Sequence, residues 1–341
     1  MGMKDQSGKK RVNLRDVAKA AGVSVATVSR VLNSPEAVTE KTRVRVQDVI
    51  DQLNFVPSAA ARAINSGRTR FVGALVPTLD NAIFARFLAS LERALGDRQL
   101  SLVVATTNSE PELEAEKAKG LLDIGAEGLI ISGVTHSDEF TALIERTRVP
   151  TIATSYFDPT YALPTIGYDN AAAAQTALRH LHELGHRRVA VVHGPTRNND
   201  RTQDRITGLT SFGQGMDLTW FEAPIGLHGG AEAARAVFAD GRATDAILCL
   251  SDVLAMGVQF GLQGQGIEVP KDVSLMGIDD LPGSAVSVPS LSTVHLPVQR
   301  MGEQSASALA DWVEHEKRPE NQLLEAHLIV RASTVPNERT Q

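Results

Sequence analysis

The sequence predicts an α/β chain in which a small helical N-terminal unit precedes a larger body built on parallel sheets. Three observations carry that reading. Of the 341 residues, the first 70 hold 13 Lys and Arg against 6 Asp and Glu, a balance of +7, whereas the remainder holds 21 against 34, a balance of −13. Within the basic segment, apolar residues recur at helical spacing. From Phe71 onward, continuous apolar runs alternate with amphipathic stretches, the pattern of buried parallel strands with helices on both faces.

Taken in order, residues 1–11 form a polar, basic leader that is expected to be disordered and that lacks the apolar core of a signal peptide. Residues 12–56 then supply three helices. Asn13 offers an N-cap, with Asp16 three residues on, to a helix whose apolar face is Leu14, Val17, Ala18 and Ala21, and Gly22 ends it. Ser24 caps a second helix over 24–32, with Val28, Val31 and Leu32 inward and Val25, Ala26, Ser29 and Arg30 together on the opposite face. A third helix is predicted over 39–53 on the stripe Val46, Val49, Ile50 and Leu53. In 57–70, Pro57 and Gly67 bracket SAAARAINS, helix-favouring in composition but shorter than the roughly 12 residues that an isolated helix needs in water, and GRTR follows as a linker.

Residues 71–341 contain the runs FVGALVP, LSLVVATT, GLIISG, PTIATS, RVAVVHG, DAILCLS and VSLMGID. That length exceeds one comfortable open-sheet domain and the series repeats, so two similar lobes are predicted, about 71–168 with 297–318 and about 169–294 with 323–335. Ligands of open α/β sheets bind outside the carboxyl ends of strands. The polar segments PTLDNAIF, TSYFD, GPTRNNDR, LSD and GIDD should therefore open onto one cleft.

Composition narrows the function classes. Hydrophobic residues at 43% and charged residues at 22% fit a globular chain and not a disordered or fibrous one. The single cysteine, Cys249, excludes an internal disulfide framework and a cysteine-paired zinc finger. No apolar run approaches the roughly 18 residues of a membrane span, so a cytoplasmic protein with no membrane partner is expected. No glycine-rich loop lies between a strand and a helix, no phosphate loop is present and no nucleophile elbow stands out, so neither an enzyme nor a cofactor is predicted. One motif dissents: HELGH, residues 182–186, satisfies the H-E-x-x-H zinc pattern with Glu183 as base, the mark of a metal hydrolase. Gly185 reads better as the stop of the helix before it, which takes His186 off the helical face that carries His182.

A basic helical unit on an acidic body points to an anionic partner, with nucleic acid ahead of a membrane surface. The segment NLRDVAKAAGVSVATVSRVLN has helix-turn-helix form, in which the second helix enters a major groove. Arg30 can hold guanine bidentately, Val25 and Ala26 suit a thymine methyl, and the hydroxyls of Ser24, Thr27 and Ser29 suit phosphates. Leu14 and Asn33, near the outer ends of the two helices, complete this set.

The same segment resembles the DNA-binding domain of the lactose-repressor (LacI) family, and the similarity continues through VTEKTRVRVQDVIDQLNFVPSAAARAI and the closing LIVRAST. The resemblance implies a helix-turn-helix domain plus hinge helix and a two-lobed body like the periplasmic binding proteins. It implies a DNA-binding regulator, a repressor, that sits as a homodimer on a pseudopalindromic double-stranded operator, with Ala61, Arg62 and the wedge residue Ile64 of the hinge at the operator centre. It also implies a small effector, a sugar or sugar acid, bound between the lobes. The matching positions are Asn81, Phe84, Asn199, Arg201, Arg205, Ser251 and Asp279; Tyr156, in the loop after PTIATS, is expected as an aromatic wall of the crevice, and Asp252 joins Ser251 there or caps the helix that follows. Asp279 suits sugar hydroxyls as an acceptor, and the guanidinium pair Arg201 and Arg205 suits a carboxylate or phosphate. After LIVRAST the chain continues only as VPNERTQ, without a heptad tail, so a dimer is expected. The rival from another class is a sugar-binding protein with no DNA role.

Overall fold

The computed structural model describes residues 12–56, 67–239 and 241–337. The chain divides into two compact units, Met1–Arg70 and Phe71–Gln341.

In the first unit, α1 (Leu14–Ala21), α2 (Val25–Asn33) and α3 (Glu40–Gln52) surround a small core of Val17, Ala18, Ala21, Val28, Val31, Val46, Ile50 and Phe55. Local chemistry sets the boundaries. The Asn13 side chain accepts from the backbone of Arg15 and Asp16 while the Asp16 carboxylate accepts from the Asn13 N–H, a reciprocal cap that satisfies the first turn. Gly22, at φ +62°, takes the left-handed turn between α1 and α2 that a side chain would disfavour. Ser24 Oγ accepts the Thr27 N–H at 3.1 Å, so α2 begins one residue after its cap. The hinge positions Ala61, Arg62 and Ile64 lie outside the described residues.

The second unit holds two parallel sheets. The first contains β1 (Phe71–Val76), β2 (Ser101–Thr106), β3 (Ala126–Ser132), β4 (Thr151–Thr154), β5 (Thr165–Gly167) and β11 (Gln322–Leu323), in the order β11-β5-β4-β3-β1-β2. The second contains β6 (Arg188–His193), β7 (Asp217–Glu222), β8 (Ala246–Cys249) and β9 (Ser274–Met276), ordered β7-β6-β8-β9. Central strands are buried on both faces, as Leu129, Ile130 and Ile131 of β3 show, because helices cover each side. On the first lobe these are α4 (Ala82–Asp97), α5 (Pro111–Asp123), α6 (Asp138–Thr147) and α12 (Val298–His315). The second carries α7 (Asn170–Glu183), α8 (Asp200–Phe212), α9 (Leu227–Phe238), α10 (Asp252–Gln263) and the short α11 (Pro282–Val286). Helix α12 approaches α4 so closely that a Cβ on Gly302 would lie 2.1 Å from Ser90 Oγ.

The lobes are joined by segments that cross between them, two of which pair as antiparallel β10 (Thr293–His295) and β12 (His327–Ile329). Leu323 pairs with Gly167 in the first lobe's sheet, so the final return to the second lobe falls later than the position 323 read from the sequence. The HELGH histidines diverge. Helix α7 ends at Glu183, Gly185 turns at φ +86°, and His186 Nε2 bonds the Val335 carbonyl at 3.0 Å while the His182 ring meets Phe212 edge-on. No helix among the described residues is long and apolar enough to cross a membrane.

Candidate functional site

The first unit presents one face of α2 to solvent. Because α2 buries Val28 and Val31, the helical period puts Val25, Ala26 and Arg30 outward, all exposed, with Thr27 and Ser29 half-buried beside them. Val25 is 42% exposed, an apolar side chain in water at the start of the helix. Ser24 Oγ is tied to its own helix, where it caps Thr27 and lies 2.9 Å from Thr27 Oγ1. Leu14 is half-buried and packs against the small core, and Asn33 closes α2.

The second unit encloses a cavity of about 280 Å³ at the carboxyl ends of strands from both sheets. It gathers Asn81, Phe84, Asn199, Arg201, Arg205, Ser251 and Asp279. Three of these are helix caps: Asn81 accepts the Ile83 N–H, Asn199 that of Thr202, and Ser251 that of Leu254. The N-termini of α4, α8 and α10 therefore converge on one space and favour groups with acceptor oxygens.

Arg205 and Asp279 are the deepest charged residues there, at 7% and 2% exposed. Arg205 Nε donates to Asn170 Oδ1 at 3.0 Å and Nη1 donates to the Leu250 carbonyl, so its guanidinium is held rigidly. Burial pushes the Asp279 carboxyl up to about 8, although the charge of Arg205 pulls the other way. Its backbone sits at φ +137°, a conformation that side-chain-bearing residues rarely adopt and that clusters at ligand sites. Arg201 is half-buried and paired with Asp200 at 3.1 Å.

Two predicted positions fall elsewhere. Asp252 is fully buried, where it accepts from the Leu281 N–H, Ser284 Oγ and Thr293 Oγ1, and it does not line the cavity. Its neighbour Ser251 is both the cap of α10 and the cavity residue. Tyr156 also lies outside the lining: it hydrogen-bonds Asp204 on α8, and burial first, then Asp204 and Asp200, pushes its hydroxyl up to about 12. Conversely, Tyr168, Ser155 and Met301 line the cavity without having been singled out. Strand β5, just before Tyr168, has three residues and leaves no periodic signal, while Met301 looks like any other buried residue of α12.

A helical unit with an exposed second helix, followed by a two-lobed unit around a cavity that Arg205 and Asp279 line, is the architecture of a DNA-binding regulator. Comparison with known proteins agrees. Residues 13–58 match the model of bacterial regulatory proteins of the lacI family, and residues 178–334 that of the periplasmic binding protein-like domain. The chain is 34% identical to the HTH-type transcriptional regulator MalR of Streptomyces coelicolor, over 96% of this chain and 98% of that one. Its fold is similar to the lac repressor dimer bound to operator and the anti-inducer ONPF, with a TM-score of 0.86, 25% identity, and coverage of 96% and 100%. The transcriptional regulator CelR in complex with cellobiose matches with a TM-score of 0.67 and 27% identity, over 95% and 100%. The protein belongs to the LacI family of DNA-binding transcriptional regulators and is not an enzyme.

Proposed function

We propose that the protein is a repressor that occupies a pseudopalindromic operator as a homodimer and is switched by a hydroxyl-rich small molecule, a sugar, bound between the lobes of its second unit. One recognition helix contacts too few bases to specify a site, which supports two copies on one operator. In this reading Arg30 reads a guanine, Val25 and Ala26 meet a thymine methyl, and the hydroxyls of Ser24, Thr27 and Ser29 meet phosphates, with Leu14 and Asn33 at the margins. Ala61, Arg62 and Ile64 contact the operator centre.

The observation that carries the effector reading is the buried pair Arg205 and Asp279 on a cavity that also holds Phe84. A fixed guanidinium donor, a carboxyl that accepts hydroxyls once ionised and an apolar ring match the edges and face of a sugar. Asn81, Asn199 and Ser251 add shorter polar contacts. The similarity to a regulator solved with cellobiose supports the same class. A second reading, a sugar acid, is favoured by the two guanidinium groups, although Asp200 already offsets that of Arg201. The effector works by preferring one arrangement of the lobes, because only differential affinity shifts a two-state balance.

Thermal melting of the full chain with sugars, sugar acids, phosphorylated sugars and purines tests this. A ligand at 100 times its Kd adds about 2.7 kcal/mol and a clear shift in Tm. A shift with a sugar, accompanied by changed operator affinity, is expected. A shift confined to purines or phosphorylated compounds would overturn the assignment.

A further inference from the structure

Two histidines outside the cavity have no part in the reading above. His295 on β10 and His327 on β12 stand directly opposite each other across the antiparallel pair, so both side chains rise from the same face of that ladder. Their ring centroids lie 4.7 Å apart at an angle of 35°. His295 Nδ1 is 2.9 Å from Asp280 Oδ2, and the other oxygen of that carboxylate takes a 2.6 Å bond from Arg331 Nη2. A carboxylate paired with a guanidinium accepts and does not donate, so Nδ1 carries the hydrogen, and in the neutral ring Nε2 is the nitrogen with a lone pair to offer a metal. An imidazole oriented through one nitrogen by a carboxylate, with the other nitrogen presented, is the arrangement of metal-binding histidines.

We propose that His295 and His327 together bind a divalent transition-metal ion across β10 and β12. Imidazole ligands select zinc, nickel or copper(II) over calcium and magnesium, with metal–nitrogen bonds of about 2.0–2.1 Å for zinc. His327 is exposed and His295 half-buried, so the ion enters from solvent. No group of three metal-ligating side chains occurs among the described residues, so water completes the shell. The ion has a mechanical consequence. It ties together two of the segments that cross between the lobes, close to Asp280, whose carbonyl also receives Arg86 Nη1 from the first lobe at 2.7 Å. Metal therefore stiffens the hinge on which the cleft opens, separately from any effector in the cavity.

Calorimetric titration of the full chain with zinc chloride and nickel chloride tests the site. One ion per chain is expected, weakened at least tenfold in His327→Ala. That variant changes an exposed side chain, and its fold is checked by circular dichroism. Asp280→Asn, which removes the orienting charge, should weaken binding by about 10–100-fold. Copper(II) supplies an independent readout: electron paramagnetic resonance should show coupling to two imidazole nitrogens in the natural protein and to one in His327→Ala. Equal affinity and an unchanged copper spectrum in His327→Ala would place the ion at other histidines and overturn the proposal, as would no binding by the natural protein.

Discussion

Asp200, on the first turn of α8 in the second lobe, accepts the backbone N–H of Val134 from the loop that ends β3 in the first lobe, at 2.6 Å. The same oxygen takes the Thr135 N–H at 3.1 Å, and the other oxygen meets Arg201 Nη1 at 3.1 Å. Tyr156 and Asp204 form a second tie between the lobes on that side, and Arg86 reaches the Asp280 carbonyl across the gap. The lobes are thus latched together by polar contacts at the rim of the cavity.

A hydrogen bond to a charged group contributes about 1.5–3 kcal/mol. Asp200→Ala removes two such bonds that exist only while the lobes are together, about 3–6 kcal/mol in all, so it should weaken effector binding by roughly a hundredfold to ten-thousandfold while leaving operator binding by the effector-free protein intact. Isothermal titration of the effector against the variant measures it. Undiminished affinity would mean that the latch does not distinguish the two lobe arrangements.

On the helical unit, Arg30→Ala should cost about 1–3 kcal/mol of specific operator binding, the range for a lost bidentate base contact, with effector affinity unchanged. Competition between operator and random duplex at fixed salt is the measurement, since the contact carries sequence preference. An equal loss on both duplexes would make Arg30 a phosphate contact instead.

What could be read from the sequence followed the range of the forces involved. The caps at Asn13 and Ser24, the turn at Gly22 and the outward set Val25, Ala26 and Arg30 are short-range features, and three or four residues decide each. The cleft was legible as a set of strand ends but not residue by residue. Ser251 and Asp252 are adjacent at the end of β8, and the backbone sends Ser251 to the cavity and Asp252 to a buried cluster with Ser284 and Thr293. Position in the chain does not reveal that split, because the partners are about 30 to 40 residues away. Strand β10 escaped for a related reason: a strand of three residues carries no periodicity.

Asp252→Ala checks that split. The change leaves the Leu281 N–H and the Ser284 and Thr293 hydroxyls without their acceptor in a dry interior, at about 1–3 kcal/mol for each unsatisfied group. A loss of several kcal/mol in urea denaturation is expected, together with unchanged effector affinity in the fraction that remains folded. A stable variant with lost effector binding would return Asp252 to the site.

Asp279 is expected to make both stability and effector binding depend on pH. Burial raises its folded pKa to about 8, so the folded state holds a proton that the unfolded chain releases near the ordinary carboxylate value. The resulting stability is fully present below that ordinary value and is lost as pH rises through about 8. Melting temperature should therefore fall between about pH 5 and 8 by more in the natural protein than in Asp279→Asn, which cannot ionise. Effector binding adds a second signal. A neutral sugar that donates its hydroxyls needs the ionised carboxylate as acceptor, so its affinity should rise with pH, by up to about tenfold per unit below the folded pKa. A sugar acid meets repulsion from the same ionised group, so its affinity should fall over that window. Titrations at several pH values with the natural protein and Asp279→Asn separate the cases. A slope that vanishes in the variant assigns Asp279 to the contact, and the sign of the slope names the effector class. The same slope in both proteins would take Asp279 out of the contact.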